Sequence, residues 1–365
     1  MRAALFQGPG HLELVADRPV PTPGVGEVLV RVTSAGICGS DLAEYRHGPI
    51  MTAPRADGSY EPVVLGHEFG GTVVTLGAGV EGFDVGDQVM CGGTCSCGEC
   101  PDCRNGRANL CKRKYTLGYH RDGGLAEYCA APIRSLVNAS PYALAADTLA
   151  LAQPMAIAVH AVRRAALHEG ELAVVVGVGG VGAFLTYAAA RVGAHVWASD
   201  IDPHRLALAA GLGAAETIDV RTTTPQRALD DAAQRADVVF EVSGTPAGWA
   251  SAIAAAAPGS RIVPIGMQKH DLQVSLGTWT MREYSVIGAV AQSADRDLPT
   301  AVEYIADRAG GWADLAPRMQ TLEEIVESGL EVPPRHADHA PVKILIDPAA
   351  HAERPAAHEI AVRAD

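Results

Sequence analysis

The six residues Gly177-Val-Gly-Gly-Val-Gly182 stand between an apolar run, 172–176, and an alanine-rich stretch of helical composition, 183–192. A G-x-G-x-x-G alone is weak, because a chain with 39 glycines generates such patterns by chance. Closing a strand and opening a helix, it becomes specific. Glycines let the backbone turn tightly and approach a pyrophosphate, while the helix start offers unpaired N–H groups and the positive end of its dipole. Gly177, Gly179, Gly180, Val181 and Gly182 are therefore candidate contacts for a dinucleotide; the plain alternative is a glycine-rich turn in some other α/β fold. An acid is expected about 20 residues further on, at the end of the next strand, and Asp200 follows Gly182 by 18 residues. A carboxylate there accepts from both ribose hydroxyls and repels a 2′-phosphate, which favours NAD over NADP. Arg205 tempers this preference, since a nearby guanidinium can pair with a phosphate. Ser243 and Gly266, each directly after a further strand candidate, complete the nucleotide set.

The alternation continues on either side of this motif. Strands are predicted at 172–176, 195–199, 217–220, 237–242, 261–265 and 285–290. Helices at 183–192, 203–211, 225–235 and 247–257 separate most of them. Six strands with crossover helices describe a doubly wound parallel sheet. Residues 1–150 have another texture: short β-type runs (27–32, 62–65, 71–76), punctuated by Gly and Pro at 19–26 and 77–86, which suits a twisted or barrel-like β domain. After residue 290 come a helix (298–309) and a strand (342–346), read as the chain returning to the first domain. The division is then 1–153, 154–290 and 291–347, with 348–365 a loose tail whose histidines face solvent.

With 365 residues, 48% of them hydrophobic, the chain is long and apolar enough for two separate cores. Its formal charge of −13 opposes binding to nucleic acid or to an acidic membrane surface. The first ten residues hold no sustained apolar run, so no signal peptide is expected. The uncharged stretch 172–190 is broken by glycines, which argues against a membrane span. The expected compartment is the cytoplasm, where thiols stay reduced.

That compartment bears on the cysteines, six of whose eight lie between Cys91 and Cys111. Cys97, Cys100, Cys103 and Cys111 are spaced C-x2-C-x2-C-x7-C. Four thiolates close a tetrahedral zinc and leave no open position, so the metal they imply is structural. A redox C-x-x-C is the alternative, and four cysteines in series oppose it. Cys91 and Cys95 are surplus to the site. A second group lies in two glycine-flanked loops, Gly36-Ile-Cys-Gly-Ser-Asp41 and Gly66-His-Glu-Phe-Gly-Gly71. Cys38, His67 and Glu68 can form an N/S/O zinc site with room for a substrate, although a lone Cys and a distant His-Glu pair would ordinarily be coincidence.

These loops, the four-cysteine spacing, Gly86-Asp87 and the glycine fingerprint occur in an order that resembles the zinc-containing medium-chain alcohol dehydrogenases. Stretches 36–45, Gly48-Pro-Ile, 62–71 and 154–164 are most similar to the butanediol and sorbitol (polyol) branch. The resemblance implies a GroES-like, β-rich catalytic domain split around a Rossmann NAD-binding domain, in dimers or tetramers. It implies a catalytic zinc held by Cys38 and His67, with Glu68 as ligand or close neighbour, and Ser40 as the hydroxyl that relays the alcohol proton. The activity implied is hydride transfer between NAD and a secondary alcohol (a vicinal diol, polyol or acyloin) or its ketone, with two zinc ions per chain. Two positions depart from the pattern. Ala43 replaces a histidine that carries the proton to solvent in many relatives, leaving the relay shortened or completed by His47 or water. Gln153 replaces a glutamate of the polyol branch and is expected beside the metal's ligands rather than among them. The competing readings are a reductase of the same fold with weak or absent catalytic zinc, and a nucleotide-binding protein without turnover.

Overall fold

The computed structural model describes residues 1–48, 51–52, 61–268, 271–331 and 341–358. Pro49 and Ile50 of the Gly48-Pro-Ile stretch, and the last seven residues of the tail, lie outside them. The chain divides into two compact units, Met1–Ala156 with Gln292–Asp365, and Ile157–Ala291.

In the second unit six strands form one sheet in the spatial order Ala214–Asp219, His195–Asp200, Leu172–Val176, Ala236–Glu241, Ala256–Pro264, Ser285–Val286. Every pairing is parallel. Strand Leu172–Val176 is buried throughout and Ala236–Glu241 at every position but Asp237, which is why 172–176 and 236–240 read as nearly unbroken apolar runs. Helices Pro203–Gly211, Pro225–Asp231 and Pro246–Ala255 each begin with proline after a capping Asp202, Thr224 or Thr245 that accepts a first-turn N–H. Two expectations were too long. The helix expected over 225–235 stops at Asp231, and Ala233 takes a left-handed conformation (φ 53°) that turns the chain. The strand expected over 285–290 is regular only at Ser285–Val286, beyond which Ile287 still donates to the Ile262 carbonyl at 2.9 Å.

In the first unit the strand Glu27–Ile37 organises the β structure. It pairs antiparallel with Glu68–Leu76 on one side, and on the other with Tyr128–Pro132 and then the returning strand Ile344–Ile346. The same sheet extends through Gln88–Cys91 and Leu136–Asn138 at one end and Arg318–Gln320 and Arg354–Pro355 at the other. A three-stranded sheet packs beside it, built from His11–Val15, Ala3–Gly8 and Val63–Val64. Phe6, Leu65, Phe69, Val30 and Leu125 lie in the apolar core.

The tail reading is corrected for residues 348–358. Arg354 forks onto the buried carboxylate of Asp147 at 2.6 and 2.8 Å and reaches Asp347 at 3.0 Å. His358 is buried, with Nδ1 3.0 Å from Thr148 Oγ1 and Nε2 2.7 Å from the Ala316 carbonyl. A buried carboxylate demands a partner, and Asp147 finds it in a segment whose Ala, Pro and His composition suggested none.

Candidate functional site

Strand Glu27–Ile37 runs directly into Cys38, which precedes helix Gly39–His47. Asp41, in the first turn, reaches back to accept the Cys38 N–H at 2.9 Å, a capping interaction that fixes where the helix starts. Across the sheet Glu68 sits opposite Gly36. A side chain at Gly36 would collide with the Glu68 carboxylate and with Lys343, so glycine is needed for this close approach. The pairing brings the donor atoms of Cys38, His67 and Glu68 within 4.8 Å of one another. His67 and Glu68 are buried and Cys38 is half-buried, so the group opens on the thiol side.

Three residues that the sequence reading missed support this group. Asp41 is fully buried, with Oδ1 3.4 Å from His67 Nδ1. Burial pushes the Asp41 carboxyl up, but His67 and the bonds from Cys38 N–H and Tyr119 outweigh it and hold it below the usual range. Burial pushes His67 down, while Asp41 and then Cys38 pull it well above its ordinary value. The imidazole therefore lies between the Asp41 carboxylate and the Cys38 thiol, and a metal binding there would compete with a proton for its nitrogen. Lys343, adjacent to the returning strand, pairs with Glu68 and donates to the Ile37 carbonyl at 3.1 Å. Tyr119 approaches Ser40 and Asp41 through its hydroxyl.

The donor set fits zinc on two grounds. Thiol, imidazole and carboxylate are the ligand types of catalytic zinc, and one donor atom from each lies within 4.8 Å of the others. With Nδ1 facing Asp41, the other ring nitrogen is the one left to bind a metal, as is usual when a carboxylate orients a histidine ligand. Gln153, near the start of helix Ala152–Arg164, is buried with Oε1 unpaired. His47 is exposed at the far end of its helix.

The four-cysteine cluster is equally well formed. Its donor atoms also lie within 4.8 Å of one another. Four sulfurs at about 2.3 Å from a central zinc stand about 3.8 Å apart. The Cys97–Cys103, Cys100–Cys103 and Cys97–Cys111 separations are 3.9, 3.5 and 3.4 Å. The Glu99 backbone N–H holds the Cys97 thiol down to about 6, and Arg113 donates to Cys97 and Cys111 at 3.3 Å each. Cys91 and Cys95 stand apart as buried thiols, Cys91 pushed up to about 12 by burial.

In the second unit Gly177 takes φ +98°, and a side chain at Gly182 would strike the Gly177 carbonyl. Open space lies where a Gly179 side chain would be, and Gly180 and Val181 form the first turn of helix Gly180–Arg191. This is the cradle a pyrophosphate requires. Asp200 ends its strand, accepting Val178 N–H at 2.7 Å and Asp202 N–H at 3.0 Å. Asp219 stands opposite it in register, held down to about 2 by Arg221. Arg205 approaches Asp200 at 4.0 Å and Asp202 at 3.7 Å. Ser243 turns its hydroxyl 2.5 Å from the buried Glu241 carboxylate, and Gly266 packs tightly on the Gly244 backbone.

Comparison with known proteins agrees with both units. Residues 24–141 match the alcohol dehydrogenase GroES-like domain and residues 180–307 the zinc-binding dehydrogenase domain. An L-threonine 3-dehydrogenase of Alteromonas mediterranea is 34% identical over 71% of this chain and 75% of its own. A sorbitol dehydrogenase of Halalkalibacterium halodurans is 32% identical over 78% and 82%. The crystal structure of 2R,3R-butanediol dehydrogenase from Bacillus subtilis superposes with a TM-score of 0.84 at 27% identity, covering 95% of this chain and 99% of that one. Two further structures share that score, identity and coverage: an Escherichia coli alcohol dehydrogenase complexed with NADH and a Sinorhizobium meliloti zinc-binding dehydrogenase bound to NADP. Among the described residues no helix is long and apolar enough to cross a membrane. A GroES-like domain, a doubly wound parallel sheet and relatives of this kind make the chain a member of the zinc-type medium-chain alcohol dehydrogenase family, on its polyol dehydrogenase side.

Proposed function

We propose that this chain is an NAD- and zinc-dependent dehydrogenase that interconverts a secondary alcohol and its ketone, the alcohol being a vicinal diol, polyol or acyloin. The observation that carries the reading is the gathering of Cys38, His67 and Glu68 at one half-open point, beside a separate closed set of four thiols. A zinc ion at the first point would supply a Lewis acid, which acidifies an alcohol in one direction and polarises a ketone in the other. Cys38 and His67 would hold it; Asp41 orients His67, and Lys343 balances the charge of Glu68. Ser40, two residues from Cys38, would accept the hydrogen of a substrate hydroxyl. The threonine, sorbitol and butanediol relatives are named for substrates with a secondary hydroxyl beside a second polar carbon, which supports the substrate class.

NAD is favoured over NADP by charge. Asp200, Asp202 and Asp219 face two arginines, Arg205 and Arg221, each already engaged with these acids. A 2′-phosphate would enter a rim with a net negative charge. The cofactor-bound relatives divide between the two nucleotides, so the support comes from these side chains. Metal analysis tests the zinc assignment: two zinc ions per chain are expected in the parent and one in Cys38→Ser. A parent that holds only the four-thiolate zinc would favour the reductase reading, to which the neutral Gln153 already leans.

A further inference from the structure

Tyr119 lies in a segment with no motif of its own, yet its hydroxyl stands 2.8 Å from Ser40 Oγ and 2.9 Å from Asp41 Oδ1. The residue is buried, and its ring lies 5.1 Å from that of His67, tilted by 37°. Packing therefore fixes the phenol, and its direction of donation is the remaining variable. A phenol carries one proton, and two acceptors are within reach. Asp41 is a fully buried carboxylate, and hydrogen bonds to an ionised acceptor are about twice as strong as neutral ones. The phenol proton thus goes to Asp41. The oxygen of Tyr119 is then left as an acceptor facing Ser40, so the Ser40 proton is committed to Tyr119. What Ser40 offers on its remaining side is a lone pair.

We propose that Tyr119 is a positioning residue: pinned by Asp41, it sets the Ser40 hydroxyl as a hydrogen-bond acceptor toward a substrate alcohol. The inference rests on the dehydrogenase reading of the site. It has a directional consequence. An alcohol, which brings a proton, is received by Ser40; a ketone, which brings none, gains nothing from it.

The test compares Tyr119→Phe with the parent in both directions, using one diol that the parent oxidises and the matching hydroxyketone. The alcohol KM should rise about fivefold, the size of one net hydrogen bond, with kcat for oxidation unchanged. The ketone KM should hold while kcat for reduction falls by the same factor, as the equilibrium constant requires. Zinc should remain at two per chain. Ser40→Ala should lose at least as much in kcat/KM for oxidation, and the double variant should be no worse than Ser40→Ala alone. If Tyr119→Phe fails to fold, the same comparison in both directions is made on Tyr119→Leu. Equal rises in both KM values, or loss of the second zinc from Tyr119→Phe, would overturn the proposal and leave Tyr119 as a support for Asp41 and His67. A parent that holds both zincs and reduces no NAD with any alcohol shows, before any variant is made, that the dehydrogenase reading has failed and this proposal with it.

Discussion

Lys343 and Glu68 lie almost wholly out of water, and neither ion is tolerable there without the other. Replacing Lys343 by Met leaves the carboxylate uncompensated, so we expect a loss of about 3–5 kcal/mol in urea unfolding; a loss under about 1 kcal/mol would mean that Glu68 is balanced by something else. Asp200 is the second residue with a sharp expectation. Asp200→Ser removes the carboxylate that opposes a 2′-phosphate and frees Arg205 from it, so the ratio of kcat/KM for NAD to that for NADP should fall at least about tenfold. A parent that already prefers NADP would contradict the assignment. These two residues differ in how visible they are. Asp200 is found by counting from a motif. Lys343 is invisible to counting, because its place depends on the register of Ile344–Ile346 against a strand some three hundred residues earlier. Asp41 was within reach, three residues after Cys38 in a loop already singled out, whereas Tyr119 carries no local signal.

At the scale of elements, the four-cysteine segment and the C-terminal strand make separate statements. The segment holds short pieces of structure, the two-stranded pairing of Thr94–Cys95 with Tyr115–Thr116 and the single turns Pro101–Arg104 and Ala108–Leu110, so we expect its order to rest on a metal. Zinc sites of this type are worth roughly 10–16 kcal/mol in small peptides, and Cys100→Ser should lose one zinc and lower the thermal midpoint. Retention of both zincs would contradict the four-thiolate site. The C-terminal strand bears on pH. Burial, helped by Arg308, outweighs Asp147, Asp314 and the Ala316 carbonyl and holds His358 below its usual value. The unfolded chain therefore binds this proton at a higher pH than the folded one. The stabilisation is whole above about pH 6.5 and is lost as the pH falls through the lowered folded value. In His358→Gln the decline of the urea midpoint below that pH should be shallower than in the parent; an identical decline would show that His358 carries none of it. The helix and strand alternation of 172–264 was legible because burial on both faces leaves unbroken apolar runs. The tail was not, because its anchor is a buried charge, Asp147, rather than apolar periodicity.

For the molecule as a whole, the edge strand Ser285–Val286 leaves one side unpaired among the described residues, with Leu276, Met281, Val286 and Val290 exposed nearby. An open edge with apolar neighbours invites pairing, and a second copy of the chain is the occupant we expect. Light scattering should report a dimer or tetramer, and Val286→Lys should shift it toward monomer; a monomeric parent would contradict this. The two-unit plan was readable from texture alone, β runs first and alternating elements after, whereas the supports of the metal group came from contacts between distant segments. The central claim is chemical, and one measurement addresses it most directly: NADH formation by the zinc-replete protein across a panel of vicinal diols, polyols and acyloins, set against folded Cys38→Ser. We expect at least one secondary alcohol to reduce NAD with the parent and none to do so with the variant. Undiminished turnover in Cys38→Ser, or none in a zinc-replete parent, would contradict it.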